Sequence, residues 1–482
     1  MPRLDLVAVA PELILTATIC VVLLIDLALP DERKWAIMPA SLAGVAATFI
    51  ALLPLAGERH VTLSGMFVVD SFAVLVKGLF CVAAALVLVI SHGYLQDDRI
   101  PHGEYYFLLL CSLLGMVTIA SSRDLLAIFI SLELVSLPTF VLAGLRKSDV
   151  KSNEAALKFF LFGIVSTAVM LFGMSLVYGV TGTTNLASIA ERFATSAPDR
   201  SIAVLSIFFV VAGFGFKISA FPFQWWVPDT YEGSPVPVAA FLSVASKTAG
   251  FVGLLQILFV GFPGVADLWR PFLAIVAVLT MTFGNLVALT QRHMVRLLAY
   301  SSIGQAGYIL LPLGVVSQTG GANNKPAFVA SLTYLLIYAF MEIGAFSIAI
   351  VHGRRGGGYF INDFAGLFQR SPGLALAMAA FLFSLAGIPP AAGWAAKLFV
   401  FRSVISAGYP WLAAVMAINT VVALFYYVGV VWQMAKPAVE PSAPVSVPAL
   451  AGAAILVSAA MVVLLGILPD LAGHLAELST LV

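Results

Sequence analysis

Long apolar stretches occur along the whole chain, and they constrain its fold more than any other feature. Of the 482 residues, 61% are hydrophobic and only 10% are charged, whereas a soluble domain carries about 25% charged residues. A membrane-spanning helix needs about 20 mostly apolar residues. Fourteen stretches satisfy this requirement: roughly 7–29, 36–56, 67–91, 105–120, 124–145, 153–180, 201–222, 234–260, 272–290, 296–317, 327–352, 373–402, 409–434 and 447–469. The sequence therefore predicts an all-α polytopic membrane protein with about 14 transmembrane helices. The first stretch is too long for the apolar region of a signal peptide, so we expect it to be retained.

The distribution of basic residues predicts the orientation. Five of the 25 lysines and arginines lie within the predicted spans, and 20 lie in loops or tails. Loops after odd-numbered spans hold 12 of these, and the N-terminus and the loops after even-numbered spans hold 8. Because basic residues accumulate in cytoplasmic loops, we expect both termini to lie on the side away from the cytoplasm.

One segment, residues 213–247, combines charge with helix breaks inside the membrane. Lys217 stands in an apolar helix, and Pro222 interrupts that helix five residues later. A polar hinge follows, and the next apolar run carries Lys247. A charged side chain at mid-bilayer costs about 2.5–3.5 kcal/mol even on the mildest scale, and such residues are usually functional. A broken helix at that depth must line a polar cavity or be buried in protein. The segment therefore predicts an ion pathway.

A second break indicates an internal repeat. Pro389 and Pro390 precede Lys397, whereas in the first break the lysine precedes the proline. Reversed order, at an offset of five spans, is what an inverted-topology repeat produces. We predict two inverted five-helix repeats, with discontinuous helices 7 and 12. The single membrane domain then divides into four parts: three N-terminal spans (1–104), a first repeat (105–260), a second repeat (272–434), and a C-terminal span and tail (447–482).

Glu133 needs a partner because it lies about ten residues into its span, near mid-bilayer. Lys217 is the best candidate. At about 4 Å and an effective dielectric near 20, such a pair is worth about 4 kcal/mol. Movement of Glu133 would then decide whether Lys217 holds or releases a proton. The alternative is a static ion pair that only fixes helix packing.

The remaining intramembrane lysines extend the candidate pathway. Lys247 lies in the middle of its span and would form a relay with Lys217, bridged by water and by the nearby hydroxyls of Ser243, Ser246 and Thr248. Lys158 lies about five residues into its span, where it either takes up protons or snorkels to the cytoplasmic face. Lys397, at the second break, is a relay or exit residue.

Other polar residues have less defined roles. Lys77 and Asp70 lie seven residues apart, two helical turns, and we expect a local structural pair. Glu342 lies deep in the eleventh span and either serves the second half as Glu133 serves the first or pairs with another helix. The three cysteines form no CxxC motif, and the six histidines show no metal-ligand spacing. We therefore expect neither an iron–sulfur nor a zinc site.

Four motifs resemble those of the antiporter-like membrane subunits of bacterial NADH–quinone oxidoreductase, respiratory complex I. They are LELVSLPTFVLAG (132–144), ISAFPFQWWVPDTYEGSPVPVAAFLSVASK (218–247), RLLAYSSIGQAGY (296–308) and SLAGIPPAAGWAAKLFVF (384–401). Within that family the PDTYEGSP hinge favours the subunit N group over subunits L and M and over Mrp-type antiporters. The resemblance covers essentially all of the predicted spans.

The resemblance implies one proton pathway coupled to quinone reduction at a remote site. Glu133 and Lys217 would be the coupling pair, Lys247 the central relay lysine, Lys397 the distal lysine and Lys158 the sixth-helix lysine. Two positions depart from the pattern, because Gln224 and Gln305 stand where related subunits often carry histidine. Glutamine orders water but does not titrate, so both are excluded from the titrating set.

The resemblance also implies partners and a location. The chain would bind no cofactor and no metal, whereas the parent complex would use NADH, FMN, iron–sulfur clusters and quinone. Its neighbours would be other membrane-arm subunits and lipid in the bacterial inner membrane, and the net charge of +1 gives no reason to expect nucleic acid. Two other functions are open: a subunit of an Mrp-type cation/proton antiporter, and a purely structural piece of a membrane arm.

The predicted orientation can be checked with reporter fusions. Alkaline phosphatase, which is active only outside the cytoplasm, is expected to be active when fused after Val482. It is expected to be inactive when fused after Lys436, in the loop that follows the thirteenth span. The opposite pattern of activity would reverse the assigned topology.

Overall fold

The structure, a computed structural model, describes residues 5–98, 100–195, 200–316, 324–355, 357–437, 443–479 and 481. Helices form nearly all of it. In chain order they are α1 (Ala10–Ala28), α2 (Ile37–Ile50), α3 (Ser71–Asp98), α4 (His102–Ser121), α5 (Leu125–Ala143), α6 (Val150–Thr181), α7 (Leu186–Thr195), α8 (Arg200–Lys217), α9 (Trp226–Gly233), α10 (Val236–Phe241), α11 (Lys247–Gln256), α12 (Ala266–Ala288), α13 (Met294–Leu310), α14 (Lys325–Arg355), α15 (Leu367–Arg370), α16 (Pro372–Ala386), α17 (Ala392–Ser406), α18 (Pro410–Ala435), α19 (Ala449–Ile467) and α20 (Pro469–Leu478).

The predicted spans correspond to these helices. Within the described ranges, twelve helices are long and apolar enough to cross a membrane. The tenth predicted span is α13, which has 17 residues and continues into a 3₁₀ turn, Leu311–Val315. The twelfth is divided between α16 and α17. The expected all-α membrane fold is confirmed.

Both predicted breaks are present, and neighbouring groups satisfy the backbone that they free. In span 7, α8 ends at Lys217 and α9 begins at Trp226, whose indole nitrogen donates to the Phe216 carbonyl at 3.1 Å. Thr280 of α12 accepts the amide of Phe221 at 2.9 Å. These contacts give protein partners to two backbone groups at the break, as burial away from water requires.

In span 12, Gly387 takes a left-handed conformation (φ +86°), which a glycine adopts without steric cost, and so ends α16. The hydroxyl of Ser384 accepts the amide of Gly393 at 2.9 Å across the break. Lys397 therefore follows its break, whereas Lys217 precedes its own. This is the reversed order that the sequence predicted.

The two sets of five spans pack in corresponding ways. In the first, α4 packs against α5, and α6 against α8 and α9. In the second, α12 packs against α13, and α14 against α16 and α17. Val236–Gly261 form one helix that includes α10, α11 and two π turns. All of its residues from 236 to 258 are buried. This helix and α14 pack against each other at the centre of the molecule.

Three elements were absent from the sequence prediction. Strands β1 (His60–Thr62) and β2 (Phe67–Val69) form a hairpin, and the His60 side chain, 2.9 Å from Asp5, lowers the pKa of that carboxyl. Helix α7 lies in the predicted loop 181–200, with its apolar side buried, and α20 follows the last span. The sequence did not predict these elements because each is much shorter than the apolar stretch of about 20 residues by which a span is identified.

The expected pairing of Lys77 with Asp70 is wrong. The Lys77 ammonium lies 2.7 Å from a carboxylate oxygen of Glu12 on α1, and both side chains are largely buried. Asp70 lies before the first residue of α3, accepts the amide of Ala73 at 2.9 Å, and pairs with Arg123 at 2.7 Å. Because Asp70 caps the helix instead of belonging to it, the seven-residue spacing does not place the two side chains on one face.

Replacing Lys77 by Met is expected to destabilise the chain by about 3–5 kcal/mol, because the Glu12 carboxylate would stay buried without its cation. Unfolding in mixed detergent micelles measures this difference. Lys147→Met is the control, because the Lys147–Glu104 pair is mostly exposed and such pairs contribute about 0–1 kcal/mol. Equal effects of the two substitutions would contradict a structural role for the buried pair.

Candidate functional site

Lys217 is the last residue of α8 and is buried, with only 5% of its surface exposed. Its ammonium donates to the hydroxyl of Ser136 on α5 at 2.9 Å. Its aliphatic part lies against Gly250 of α11, where an added Cβ would stand 3.0 Å from Lys217 Cγ. The lysine therefore stands between α5 and α11, at the carbonyl end of a half-helix, where the helix dipole favours a cation.

Glu133 is half-buried and lies on α5, one turn before Ser136. It accepts the hydroxyl of Thr167 on α6 at 2.8 Å. Glu133 and Lys217 are both described, and no ion pair within 4 Å joins them, although Glu133 acts electrostatically on the lysine. The direct contact considered from the sequence is thus not formed, because each group has a hydroxyl partner of its own.

Lys247 follows a π turn, Leu242–Ser246, and is 2% exposed. Its ammonium donates to Ser302 of α13 at 2.7 Å and lies 5.7 Å from the centre of the Tyr231 ring of α9. The sequence suggested Ser243 as a bridging hydroxyl, but this hydroxyl donates to the Ala240 carbonyl. Single π turns occur frequently at functional sites, and here one sets the rotation of the helix immediately before the lysine.

Lys397 is buried beside the second break. Its ammonium donates to the Ala386 carbonyl at 2.8 Å and lies 4.7 Å from the centre of the Tyr308 ring. A Cβ on Gly387 would stand 2.8 Å from Lys397 Cδ. The lysine therefore binds a free carbonyl at the C-terminal end of α16, so this cation too lies at the negative end of a half-helix.

Helix α13 contacts both Lys247 and Lys397. Ser302 holds Lys247, and Tyr308, six residues later, lies under Lys397. Between them, Gln305 donates to the Leu385 carbonyl at 3.1 Å and to the Tyr427 hydroxyl at 3.2 Å. Residues three apart share a helix face, so α13 presents a continuous polar stripe. Sequence reasoning identified Gln305 but missed the two flanking residues.

Glu342 of α14 is completely buried. Within the described residues its carboxylate has no ion-pair partner closer than 4 Å, and Lys247 is the cation that acts on it electrostatically. Glu133, whose bonded partner is the Thr167 hydroxyl, likewise has no ion-pair partner within that distance in the described structure. Whether Glu342 plays the same role as Glu133 stays a prediction.

Lys158 differs from the other candidates because its side chain is 38% exposed. Its ammonium lies 2.7 Å from Asp229 of α9 and 2.6 Å from Glu154. These two carboxylates line a cavity of about 160 Å³ together with Lys151, Glu232 and Arg296. Lys158 therefore lies at the polar end of its helix, in contact with carboxylates of α6 and α9.

Several buried polar side chains lack a hydrogen-bond partner within the described part of the chain. They include both side-chain atoms of Gln224 and the hydroxyls of Ser219, Thr230, Ser234, Thr248 and Thr333. Buried polar groups of this kind are normally satisfied by internal water. These groups therefore provide candidate positions for internal water. In the same described ranges, no cluster of three or more His, Cys, Asp or Glu residues has metal-binding geometry.

The chain is similar to known membrane proteins over nearly its whole length. Residues 122–423 match the family described as NADH:quinone oxidoreductase/Mrp antiporter, transmembrane. The chain is 39% identical over 477 residues to NADH-quinone oxidoreductase subunit N of Trichlorobacter lovleyi, covering 98% of this chain and 96% of that relative. It is similar to a chain of respiratory complex I from Thermus thermophilus with bound aureothin, with 29% identity, a TM-score of 0.80, and 97% and 99% of the two chains covered. A chain of the Mrp complex from Dietzia sp. DQ12-45-1b shares the fold at 20% identity, with a TM-score of 0.84 and coverage of 99% and 97%.

The packing of Lys217 against Gly250 can be tested by overfilling this contact. Gly250→Ala is expected to push the lysine away from Ser136, because the added methyl would stand 3.0 Å from Lys217 Cγ. Overpacking of this kind costs about 1–3 kcal/mol, so both thermal stability and ion transport should fall. Gly429→Ala in α18 is the control, since an added Cβ there meets nothing within 4 Å. Equal behaviour of the two variants would contradict this placement of the lysine.

Proposed function

Because the chain belongs to the antiporter-like membrane subunits of the NADH:quinone oxidoreductase/Mrp antiporter family, we propose that it translocates protons through its buried lysines. The observation that carries this proposal is the arrangement of Lys217, Lys247 and Lys397. Each is 95% or more buried, and each ammonium is held by a hydroxyl or carbonyl oxygen at 2.7–2.9 Å. Such oxygens hold an ammonium without fixing its charge.

The proposed transfer starts at the first half-helix. A change in the position or charge of Glu133 alters the electrostatic stabilisation of the Lys217 ammonium, which then loses its proton towards Lys247. Gln224 and Thr248 are buried without protein partners in the described structure, and water at these positions would carry the proton. Glu133 lies one helical turn before Ser136, which holds the Lys217 ammonium, and this placement supports the step.

The second transfer runs from Lys247 to Lys397 along α13. Gln305 orders the path but does not titrate, so the proton would move through water and the hydroxyls of Ser302 and Tyr427. Lys158, exposed among carboxylates, is proposed as the proton-uptake residue. The charge of each lysine would depend on the charge of the lysine before it in the pathway, so the transfers would occur in sequence.

We propose that the driving reaction takes place outside this chain. As a membrane-arm subunit of an NADH–quinone oxidoreductase, it would contribute no redox centre, and its partners would couple quinone reduction to the charge of Glu133. NADH, FMN and iron–sulfur clusters would then belong to those partners. The subunit would lie in the bacterial inner membrane with both termini on the periplasmic side.

A cation/proton antiporter subunit is the second candidate function, and the shared fold with the Mrp complex chain favours it. This function would give Na⁺- or K⁺-dependent proton exchange without NADH oxidation. Identification of the copurifying subunits distinguishes it from the first. The 39% identity to a subunit N relative over nearly the whole chain supports the oxidoreductase instead.

A purely structural role predicts that Lys217 never changes its protonation state. Infrared difference spectroscopy between pH 5 and pH 10 follows the ammonium of this lysine, using Lys217→Arg to assign its bands. Proton exchange within that range supports transport. Its complete absence would favour a static helix-packing role.

Lys217→Ala is expected to lower proton pumping by about 100-fold, the scale of a lost acid–base group. The complete complex, reconstituted in proteoliposomes with a pH-sensitive dye, provides the measurement, and Glu133→Gln should act in the same direction. Lys147→Ala, which removes a mostly exposed lysine, is the control. Unchanged proton flux in a fully assembled Lys217→Ala complex would reject the proposed function.

A further inference from the structure

Four ion pairs hold the half-helix α9 at its polar end. Its two carboxylates, Asp229 and Glu232, are three residues apart and so share one face. From α6, Lys158 reaches Asp229 at 2.7 Å and Lys151 reaches Glu232 at 3.2 Å. From α13, Arg296 reaches both carboxylates at 2.9 Å. These pairs join α9 to a helix of the first repeat and to a helix of the second.

The position of Arg296 on its helix is unusual. It is the third residue of α13, in the first turn, where the helix dipole disfavours a cation. A guanidinium presents several donors in a rigid fork and can hold two carboxylates at once, which a lysine cannot do equally well. The paired carboxylates of α9 therefore compensate for an unfavourable helix position.

The same two helices hold Lys247. Tyr231, whose ring lies 5.7 Å from the Lys247 ammonium, stands between Asp229 and Glu232 in α9. Ser302, which accepts from that ammonium at 2.7 Å, lies on α13 six residues after Arg296. Any shift of α9 relative to α13 thus changes the distance between the two groups that hold this lysine.

We propose that Arg296 is a positioning residue for proton transfer at Lys247. By binding Asp229 and Glu232 together, it fixes α9 against α13 and so keeps the Lys247 ammonium between Tyr231 and Ser302. The inference rests on the proposed function, because it assigns Arg296 a role in the transfer that Lys247 performs. The PDTYEGSP segment, residues 228–235, then not only interrupts the helix but also supplies both carboxylates that bind Arg296.

The test compares Arg296→Gln with Arg292→Gln in the complete complex, reconstituted in proteoliposomes. Arg292 is an exposed arginine just before the first residue of α13. It has no ion-pair partner in the described structure, so its substitution removes the same charge without releasing α9. Because misplacement by about 1 Å can cost about 100-fold in rate, we expect Arg296→Gln to lower the proton-pumping rate at least about tenfold. The number of protons pumped per electron should fall as well, whereas both values should be unchanged in Arg292→Gln.

A conservative variant separates positioning from folding. Arg296→Lys keeps the charge but holds one carboxylate well instead of two, so its proton-to-electron ratio should lie between those of the wild type and Arg296→Gln. A residue that only supported folding would lower the amount of assembled complex and leave this ratio unchanged. If Arg296→Gln does not assemble, the ratio in Arg296→Lys alone decides: a ratio equal to the wild type overturns the proposal.

Coupling to Lys247 is measured with Ser302→Ala. If Arg296 acts through the position of Ser302, the double variant Arg296→Gln/Ser302→Ala should pump no more slowly than the worse single variant. Multiplied losses would overturn the proposal.

Lys217→Ala in the same preparation distinguishes a failure of the positioning role from a failure of the proposed function. If it abolishes pumping while Arg296→Gln matches Arg292→Gln, the positioning role alone fails. If Lys217→Ala also pumps normally, the proposed function and the positioning role fail together.

Discussion

The structure depends on how it stabilises ammonium groups that are removed from water. Lys217 and Lys397 lie at the carbonyl ends of interrupted helices, where the helix dipole favours a positive charge, and Lys397 binds a carbonyl freed by its break directly. Lys247 does not lie at the end of an interrupted helix, and its ammonium is held by a serine hydroxyl and a tyrosine ring. None of these three described lysines has a carboxylate within 4 Å. The helix breaks are thus a means of holding cations without fixing counter-ions beside them.

An ammonium group without a carboxylate in contact can lose and regain its proton more easily than one in an ion pair. A buried carboxylate in contact with a lysine fixes the lysine in its charged form, because removing either charge leaves the other uncompensated. The Glu12–Lys77 pair, at 2.7 Å, is of this kind. Glu133 acts on Lys217 from a distance and is bonded to Thr167 instead. The same chain therefore contains a lysine in a fixed ion pair and lysines that carboxylates influence without contact, and the difference separates the structural pair from the proposed pathway.

The sequence predicted what depends on local composition: the apolar spans, both helix breaks and the buried lysines. It did not predict the partners of these lysines, because Ser136 and Ser302 are ordinary serines whose importance arises only from packing between helices distant in sequence. The error at Asp70 has a local cause, since a spacing of seven residues places two side chains on one face only if both lie within the helix. Arg296 was counted as a loop cation, and nothing in its neighbourhood along the chain reveals that its partners lie about 65 residues earlier.

The glutamine at position 305 has a physical consequence for the proposed transfer. Gln305 uses its amide to join the end of α16, at Leu385, to Tyr427 of α18, and an amide holds this geometry at any pH because it does not titrate. A histidine there would change its charge near neutral pH and so alter the electrostatic potential at both neighbouring lysines. With glutamine at this position, no titrating side chain stands on α13 between Ser302 and Tyr308. In the proposed transfer, the charge on Lys247 would therefore act on Lys397 without an intermediate charge on this helix, which is a condition for controlling a sequential transfer from Glu133.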